Sequence, residues 1–228
     1  MSNLKILLLF VVSMILSPIL VACANDTTPS EQAPQATSDN KPSETETKNK
    51  PAADENGLIP TDDPNVFKAT KIVPRPPESD QYPKPEYPAL GNENNLNGAK
   101  AVAVYVEDLV TYAYSTGDTT DLELVCSTRS SWCADNIEGA KKVAKGSIWY
   151  RFNKAPTVTA TGYLEVPKEH NQGEYSIRIE TQIWGYTYFS TTKMELAKYA
   201  SKKLLRHINL SFLNGRWVIV SVDSERIE

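Results

Sequence analysis

The sequence predicts an α+β fold in which helices come first and antiparallel strands follow. Three observations carry that prediction. Apolar residues recur at helical spacing between Leu96 and Lys145, their period falls to two after Gly146, and Asn214-Gly215 marks a two-residue hairpin between alternating segments. The 140 residues from Ala89 to Glu228 suffice for one hydrophobic core and are too few for two ordinary domains. No internal repeat is visible.

The first helix covers residues 96–115. Ala99, Val102, Ala103, Val106, Leu109, Val110 and Ala113 form its apolar stripe, with Lys100, Glu107, Asp108 and Thr111 on the other side. Gly117-Asp118 stops it, as a glycine just past a helix end commonly does. Thr119-Thr120-Asp121 suits the cap of a short helix over 122–125. A third helix covers 131–145, with Ile137, Ala140, Lys141 and Ala144 on one face, and ends at Gly146. Strands are predicted at 147–152, 157–166, 174–190, 204–213 and 216–223, with a polar loop at 167–173. The stretch 190–203 fits either a capping box at Thr192 to Glu195 or a long hairpin loop. N-terminal helices packed on a curved antiparallel sheet in this order make an NTF2-like cone, the nuclear-transport-factor-2-like architecture.

Upstream, Lys5 precedes the apolar run Ile6-Leu-Leu-Leu-Phe-Val-Val-Ser-Met-Ile-Leu16, followed by small residues, which is the pattern of a secretory signal. Ile6 to Val21 is 16 residues with Pro18 inside, short of the roughly 20 apolar residues of a spanning helix. A permanent transmembrane helix is therefore the weaker reading. Leu20-Val21-Ala22-Cys23 has the form of a lipobox. The Cys23 thiol would take a diacylglycerol through a thioether, and the small residues before it let a signal peptidase close on the backbone. Acyl chains such as palmitate contribute roughly 0.8 kcal/mol per buried CH₂, so an acylated cysteine holds a chain at the extracytoplasmic face of the cell membrane without a protein helix.

The expected organisation is a lipoprotein signal peptide over 1–22, a lipidated Cys23 with a disordered Pro/Ser/Thr-rich tether over 23–88, and the α+β domain over 89–228. The tether is too poor in large apolar residues to offset its ordering entropy. It would reach roughly 40 Å, its prolines from Pro74 to Pro88 favouring polyproline II. Charge divides the same way. Ala24 to Asp80 carries 11 acidic and 6 basic residues, and Gln81 to Glu228 carries 17 of each. A neutral domain gives no electrostatic case for a nucleic-acid partner.

With Cys23 given to the lipid, Cys126 and Cys133 remain as an even pair in an exported domain, expected as a disulfide that joins the second and third helices. Over so short a loop it would contribute roughly 2–3 kcal/mol. A redox pair usually has two residues between its cysteines rather than six, and no further metal ligands accompany this pair. His170 sits in a polar loop and reads as a solvated turn residue. His207 lies on the fourth strand opposite Ile208, Leu210 and Phe212, and Arg178, Glu180 and Gln182 share one face of the third strand. With Trp184 they form a candidate pocket if those faces coincide inside the cone, and otherwise the solvated side of a sheet. Trp149, Tyr150, Tyr163, Trp184, Tyr186 and Tyr188 read as core and cross-strand packing, or as the lining of an open cone suited to an apolar ligand or a glycan. No phosphate loop, nucleophile elbow or carboxylate pair at metal spacing is present, and no cofactor or metal is expected.

Tyr87-Pro88, Gly98-Ala99-Lys100, Tyr105 and Tyr112-Ala-Tyr-Ser-Thr-Gly-Asp-Thr119, continuing through Leu122 to Cys126-Ser127, Cys133 and Gly146, resemble an uncharacterised family of actinobacterial lipoproteins. The resemblance implies a secreted lipid anchor, a disordered tether and a small α+β domain, and it implies no activity. The leading expectation is a non-enzymatic, membrane-anchored domain that binds a small ligand, a cell-wall component or another exported protein. Two alternatives stand beside it. One is an enzyme of the isomerase or cyclase type with His207 or Glu180 as base, the other a structural module for assembly of the cell envelope.

Overall fold

In the computed structural model, residues 51–166 and 174–227 are described, and they belong to one unit, Lys48–Glu228. The signal segment, Cys23, residues 24–50 and the loop that holds His170 lie outside them.

Helix α1, Leu96–Thr116, forms as its spacing predicts. Asn95 caps it, its side-chain oxygen accepting from the Gly98 N–H at 3.0 Å. Gly117 ends it with φ of 84°, and a Cβ there would fall 2.6 Å from the Ala144 nitrogen. Only glycine meets both demands, a left-handed cap and a close approach of α3. Two shorter helices follow, α2 at Thr120–Val125 and α3 at Ser131–Ala144. Cys126 and Cys133 form the expected disulfide between them, with Cα atoms 5.8 Å apart. The buried face of α3 is Cys133, Ala140 and Val143, with Ile137 half-buried, rather than the set that included Lys141 and Ala144. Lys141 instead reaches Glu123 of α2 at 2.7 Å, in water, where an ammonium costs nothing to keep.

Among the described residues, nine strands make two antiparallel sheets. Strands β1 (Leu58–Pro60), β2 (Val66–Ala69), β3 (Ile148–Phe152), β6 (Tyr186–Ser190) and β7 (Glu195–Tyr199) form one sheet in the order β1-β2-β7-β6-β3. Strands β4 (Thr157–Glu165), β5 (Tyr175–Ile183), β8 (Lys202–Leu213) and β9 (Arg216–Ile227) form the other in the order β4-β5-β8-β9. Asn214 and Gly215, with φ of 53° and 80°, make the predicted tight turn between β8 and β9.

The single strand expected over 174–190 is broken at Trp184-Gly185 into β5 and β6. Gly185 has φ of 92°, and a Cβ on it would lie 2.8 Å from the Tyr199 carbonyl. The pairing strand of the same chain breaks opposite, at Ala200-Ser201, so one long hairpin turns a corner from the first sheet into the second. Gln182 pins that corner by donating to the carbonyls of Ile183 and Lys202 at 3.1 and 3.3 Å. Residues 190–203, open between helix and loop in the sequence, are a tight turn followed by β7 and the start of β8.

Ordered structure also begins well before residue 89. The hairpin β1-β2, expected within the tether, adds to β7 through Val66↔Ala197, Phe67↔Leu196 and Lys68↔Glu195. Val73 then crosses the sheet, its carbonyl accepting from Trp149 Nε1 at 3.0 Å. Trp149, Phe189 and Leu196 make a small second core there with Leu58, Phe67, Ala69 and Val73. This segment holds too few apolar residues to build a core alone, but an exposed sheet edge supplies backbone partners that composition does not reveal. Pro76 and Pro88 do hold polyproline dihedrals (φ/ψ −63°/136° and −68°/135°), each leading into a 3-10 turn.

The main core lies between α1 and the four-stranded sheet. Ala99, Val102, Ala103 and Val106 of α1 meet Ile177, Ile179, Ile208, Trp217 and Ile219, all fully buried. The Trp217 indole N–H, the polar edge of that core, is satisfied by the Glu93 carbonyl at 2.9 Å.

Candidate functional site

Where the two sheets diverge at the corner, the second half of α1 does not pack flat against them. A hollow of about 240 Å³ remains. Glu107, Val110, Thr111 and Tyr114, at i, i+3, i+4 and i+7 of α1, form one wall. Thr181 of β5 with Leu204 and Arg206 of β8 form the floor, Tyr150 and Phe152 of β3 with Tyr186 of β6 form the opposite wall, and Lys202 stands at the corner.

Glu107 and Thr111 were expected on the solvent side of the helix. They are buried, Glu107 with only 3% exposure. A carboxylate at that depth needs charge and hydrogen-bond partners. Arg206 Nη1 donates to Glu107 Oε2 as an ion pair, and Thr181 Oγ1 donates to the same oxygen at 3.1 Å. Glu107 Oε1 and Arg206 Nε are buried with no protein partner. The neighbouring Asp108 is held above the usual carboxyl range, first by its own burial and then by the Glu107 charge.

The wall opposite is aromatic. Tyr114 and Tyr150 meet edge to face with centroids 5.1 Å apart, and Tyr150 lies 5.9 Å from Tyr186 and 5.0 Å from Tyr188. Tyr186 stacks on the half-exposed Tyr199 at 4.6 Å, and the Lys202 ammonium sits 5.8 Å from the Tyr186 ring. Burial, the largest cause in each case, raises the Tyr114 and Tyr150 phenols and pushes Tyr186 up to about 12. All three are therefore neutral hydroxyls, donors and acceptors at once, across the physiological range.

Larger hollows exist among the described residues. One, about 490 Å³, lies by Ser79, Tyr82 and Arg151, another, about 660 Å³, by Tyr87, Tyr105 and Leu124, and a third, about 300 Å³, by Glu165, Glu174 and Tyr175. None of these is lined by a buried charged side chain, which distinguishes the corner hollow from them.

The residues proposed from sequence are not those that line it, Tyr150 and Tyr186 apart. Arg178 pairs across the sheet with His207, and His207 with Asp223, so all three stand on the face opposite Ile177, Ile179 and Ile208, away from α1. Glu180 shares that outer face and pairs with Lys203 at 2.9 Å. Gln182 is engaged at the corner, and the exposed Trp184 carries the Lys154 ammonium 4.8 Å from its ring. Among the described residues, none of the five lines any of the hollows given above. Of the other aromatics, Trp149 belongs to the second core and Tyr163 is exposed beneath Lys100. Among the described residues no cluster of three or more His, Cys, Asp or Glu could hold a metal, and no helix is long and apolar enough to cross a membrane.

A sequence signal for the true lining did exist. Core-facing positions of β8 run Leu204, Arg206, Ile208 and Leu210, and those of β5 run Ile177, Ile179, Thr181 and Ile183. An arginine and a threonine interrupt two adjacent apolar faces, and a charged residue on a core face demands a buried partner.

Comparison with curated proteins and with solved structures finds no match. Residues 77–223, from the first 3-10 turn to the middle of β9, match DUF6318, described as a family of unknown function. That stretch contains α1, both halves of the corner and every residue of the hollow, and the chain therefore belongs to this family.

Proposed function

We propose that the protein is an exported lipoprotein, held at the extracytoplasmic face of the cell membrane by a lipid on Cys23, whose domain binds a small ligand in the corner hollow. The anchor rests on the lipobox form of Leu20-Val21-Ala22-Cys23 directly after an apolar signal core. The domain is read as an NTF2-like cone, because a long helix lies against a four-stranded antiparallel sheet whose central hairpin continues into a second sheet.

The observation that carries the binding role is the Glu107–Arg206 pair beneath a wall of tyrosines. Replacing such a pair by apolar residues is often neutral or stabilising, so stability alone gives little reason to keep it. A charged floor under an aromatic wall is how concave ligand sites orient what they hold. Binding without catalysis is favoured by the state of the titratable groups. The Glu107 carboxylate is engaged by Arg206 and Thr181, and burial drives the phenols away from the neutral range where a general base works.

Equilibrium dialysis of the full chain against the small-molecule fraction of its own cell envelope tests this. The unaltered chain should retain a species that Val110→Trp, which fills the hollow, does not. Equal retention by both chains, or by neither, would overturn the binding role.

A further inference from the structure

We infer that the hollow takes an uncharged sugar, a single saturated ring bearing several hydroxyls. This rests on the ligand-binding reading above and specifies its ligand. Three features of the lining lead to it.

The first is charge, which is already matched within the protein. Glu107 and Arg206 neutralise each other at the floor. What that pair leaves without a protein partner is balanced too, one acceptor at Glu107 Oε1 and one donor at Arg206 Nε. Lys202 is engaged as well, its ammonium 5.8 Å from the Tyr186 ring and with a further partner besides. An ionised ligand would leave water for a lining with no uncommitted opposite charge, a cost that a neutral ligand avoids.

The second is a cluster of hydroxyls. Tyr114, Tyr150 and Tyr186 line the hollow from α1, β3 and β6. An ionised Tyr114 or Tyr186 would raise the Tyr150 phenol further, and Tyr114 would do the same to Tyr186, so the three oxygens are neighbours. None of the three is hydrogen-bonded to another described residue. Each is donor and acceptor at once, and its complement is another hydroxyl rather than an ion. Asn136 of α3 also lines the hollow, its amide nitrogen given to the Trp132 carbonyl at 2.7 Å and its oxygen left as an acceptor.

The third is shape. Tyr150, Phe152 and Tyr186 lie along one wall with centroids 5.8 to 6.5 Å apart, beside a space of about 240 Å³. Sites for drug-sized molecules run from roughly 300 to 1,000 Å³, so this one has room for one ring and its substituents. Aromatic rings pack against the C–H face of a saturated ring. An apolar ring of the same size would cover the phenols without pairing them, and a site with buried polar groups rejects such ligands.

The test is calorimetric titration of the full chain in a detergent without a sugar headgroup. The neutral probes are D-glucose, D-galactose, D-mannose and N-acetyl-D-glucosamine, set against D-glucuronate, D-glucosamine and cyclohexanol. The best neutral sugar should bind at least about tenfold tighter than any of the last three. Tyr150→Phe and Tyr186→Phe, which remove a hydroxyl and keep the ring, should each weaken it about threefold to tenfold. Glucuronate or glucosamine binding as tightly overturns the need for neutrality. Cyclohexanol binding as tightly overturns the need for hydroxyls. Sugar binding unchanged in both variants places the sugar elsewhere and overturns the site. If no neutral sugar binds while dialysis still shows retention lost in Val110→Trp, the ligand class fails and the binding role stands. If no neutral sugar binds and dialysis shows no such loss, both fail.

Discussion

Glu107 and Arg206 are the two residues on which the site depends, and their energetics are asymmetric. Together they satisfy each other, and apart each is a buried charge without compensation. Arg206→Met alone should destabilise the domain by roughly 3–5 kcal/mol, while Glu107→Leu combined with Arg206→Met should recover most of that loss. Urea unfolding of the three chains measures the difference, and a double variant as unstable as the single one would contradict the pairing. Asp108 gives a pH-dependent counterpart. Burial lifts its folded-state pKa above the ordinary carboxyl value of 3.8. Below that value both folded and unfolded states are protonated and the residue costs nothing. As pH rises through the folded value, the fold must hold an ionised carboxylate it disfavours, so stability is lost. Asp108→Asn should therefore raise the urea midpoint at pH 7 and leave it unchanged at pH 3. Neither residue's burial was legible from helical periodicity, because Glu107, Asp108 and Thr111 extend the polar side of α1 in any local pattern. The corner hollow, a tertiary feature, turns Glu107 and Thr111 inward, and Asp108 lies beside Tyr82 from the segment before the helix.

The elements that sequence patterning located are those whose signals are local. α1 has a capping asparagine, an apolar stripe and a terminal glycine, and the β8-β9 hairpin has Asn214-Gly215. What patterning missed depends on distant partners. The alternation of residues 174–190 runs unbroken through Trp184-Gly185, and only the opposing Tyr199 carbonyl shows why the chain must bend there. β1 and β2 were invisible because their stability is borrowed from β7. Gly185 is the most exacting of these positions, combining a positive φ with a backbone oxygen 2.8 Å from any Cβ. Gly185→Ala should cost roughly 1–3 kcal/mol and loosen the corner, read as faster amide exchange in β6 and β7 than in β4. Uniform protection across both sheets would show that the corner tolerates a side chain.

At the scale of the whole molecule, the β1-β2 hairpin starts the folded part of the chain at Leu58, well before residue 89. Between Cys23 and Pro51 lie 27 residues, which span at most about 95 Å even when fully extended. The family match begins at residue 77, so β1, β2 and the Val73 crossing lie outside the matched region and extend one edge of the first sheet. Mass spectrometry of the membrane fraction should find an N-terminal peptide beginning at an acylated Cys23, and a chain retaining Met1 with an unmodified thiol would refute the anchor. The central claim is that the corner hollow, not the outer sheet face, is the working surface. Amide shift mapping of the full chain in detergent, titrated with the small-molecule fraction of its own cell envelope, tests it most directly. The predicted result is a cluster of shifts at Glu107, Tyr150, Thr181, Tyr186 and Arg206. Shifts gathered instead around Arg178, Glu180 and His207, or none at all, would contradict it.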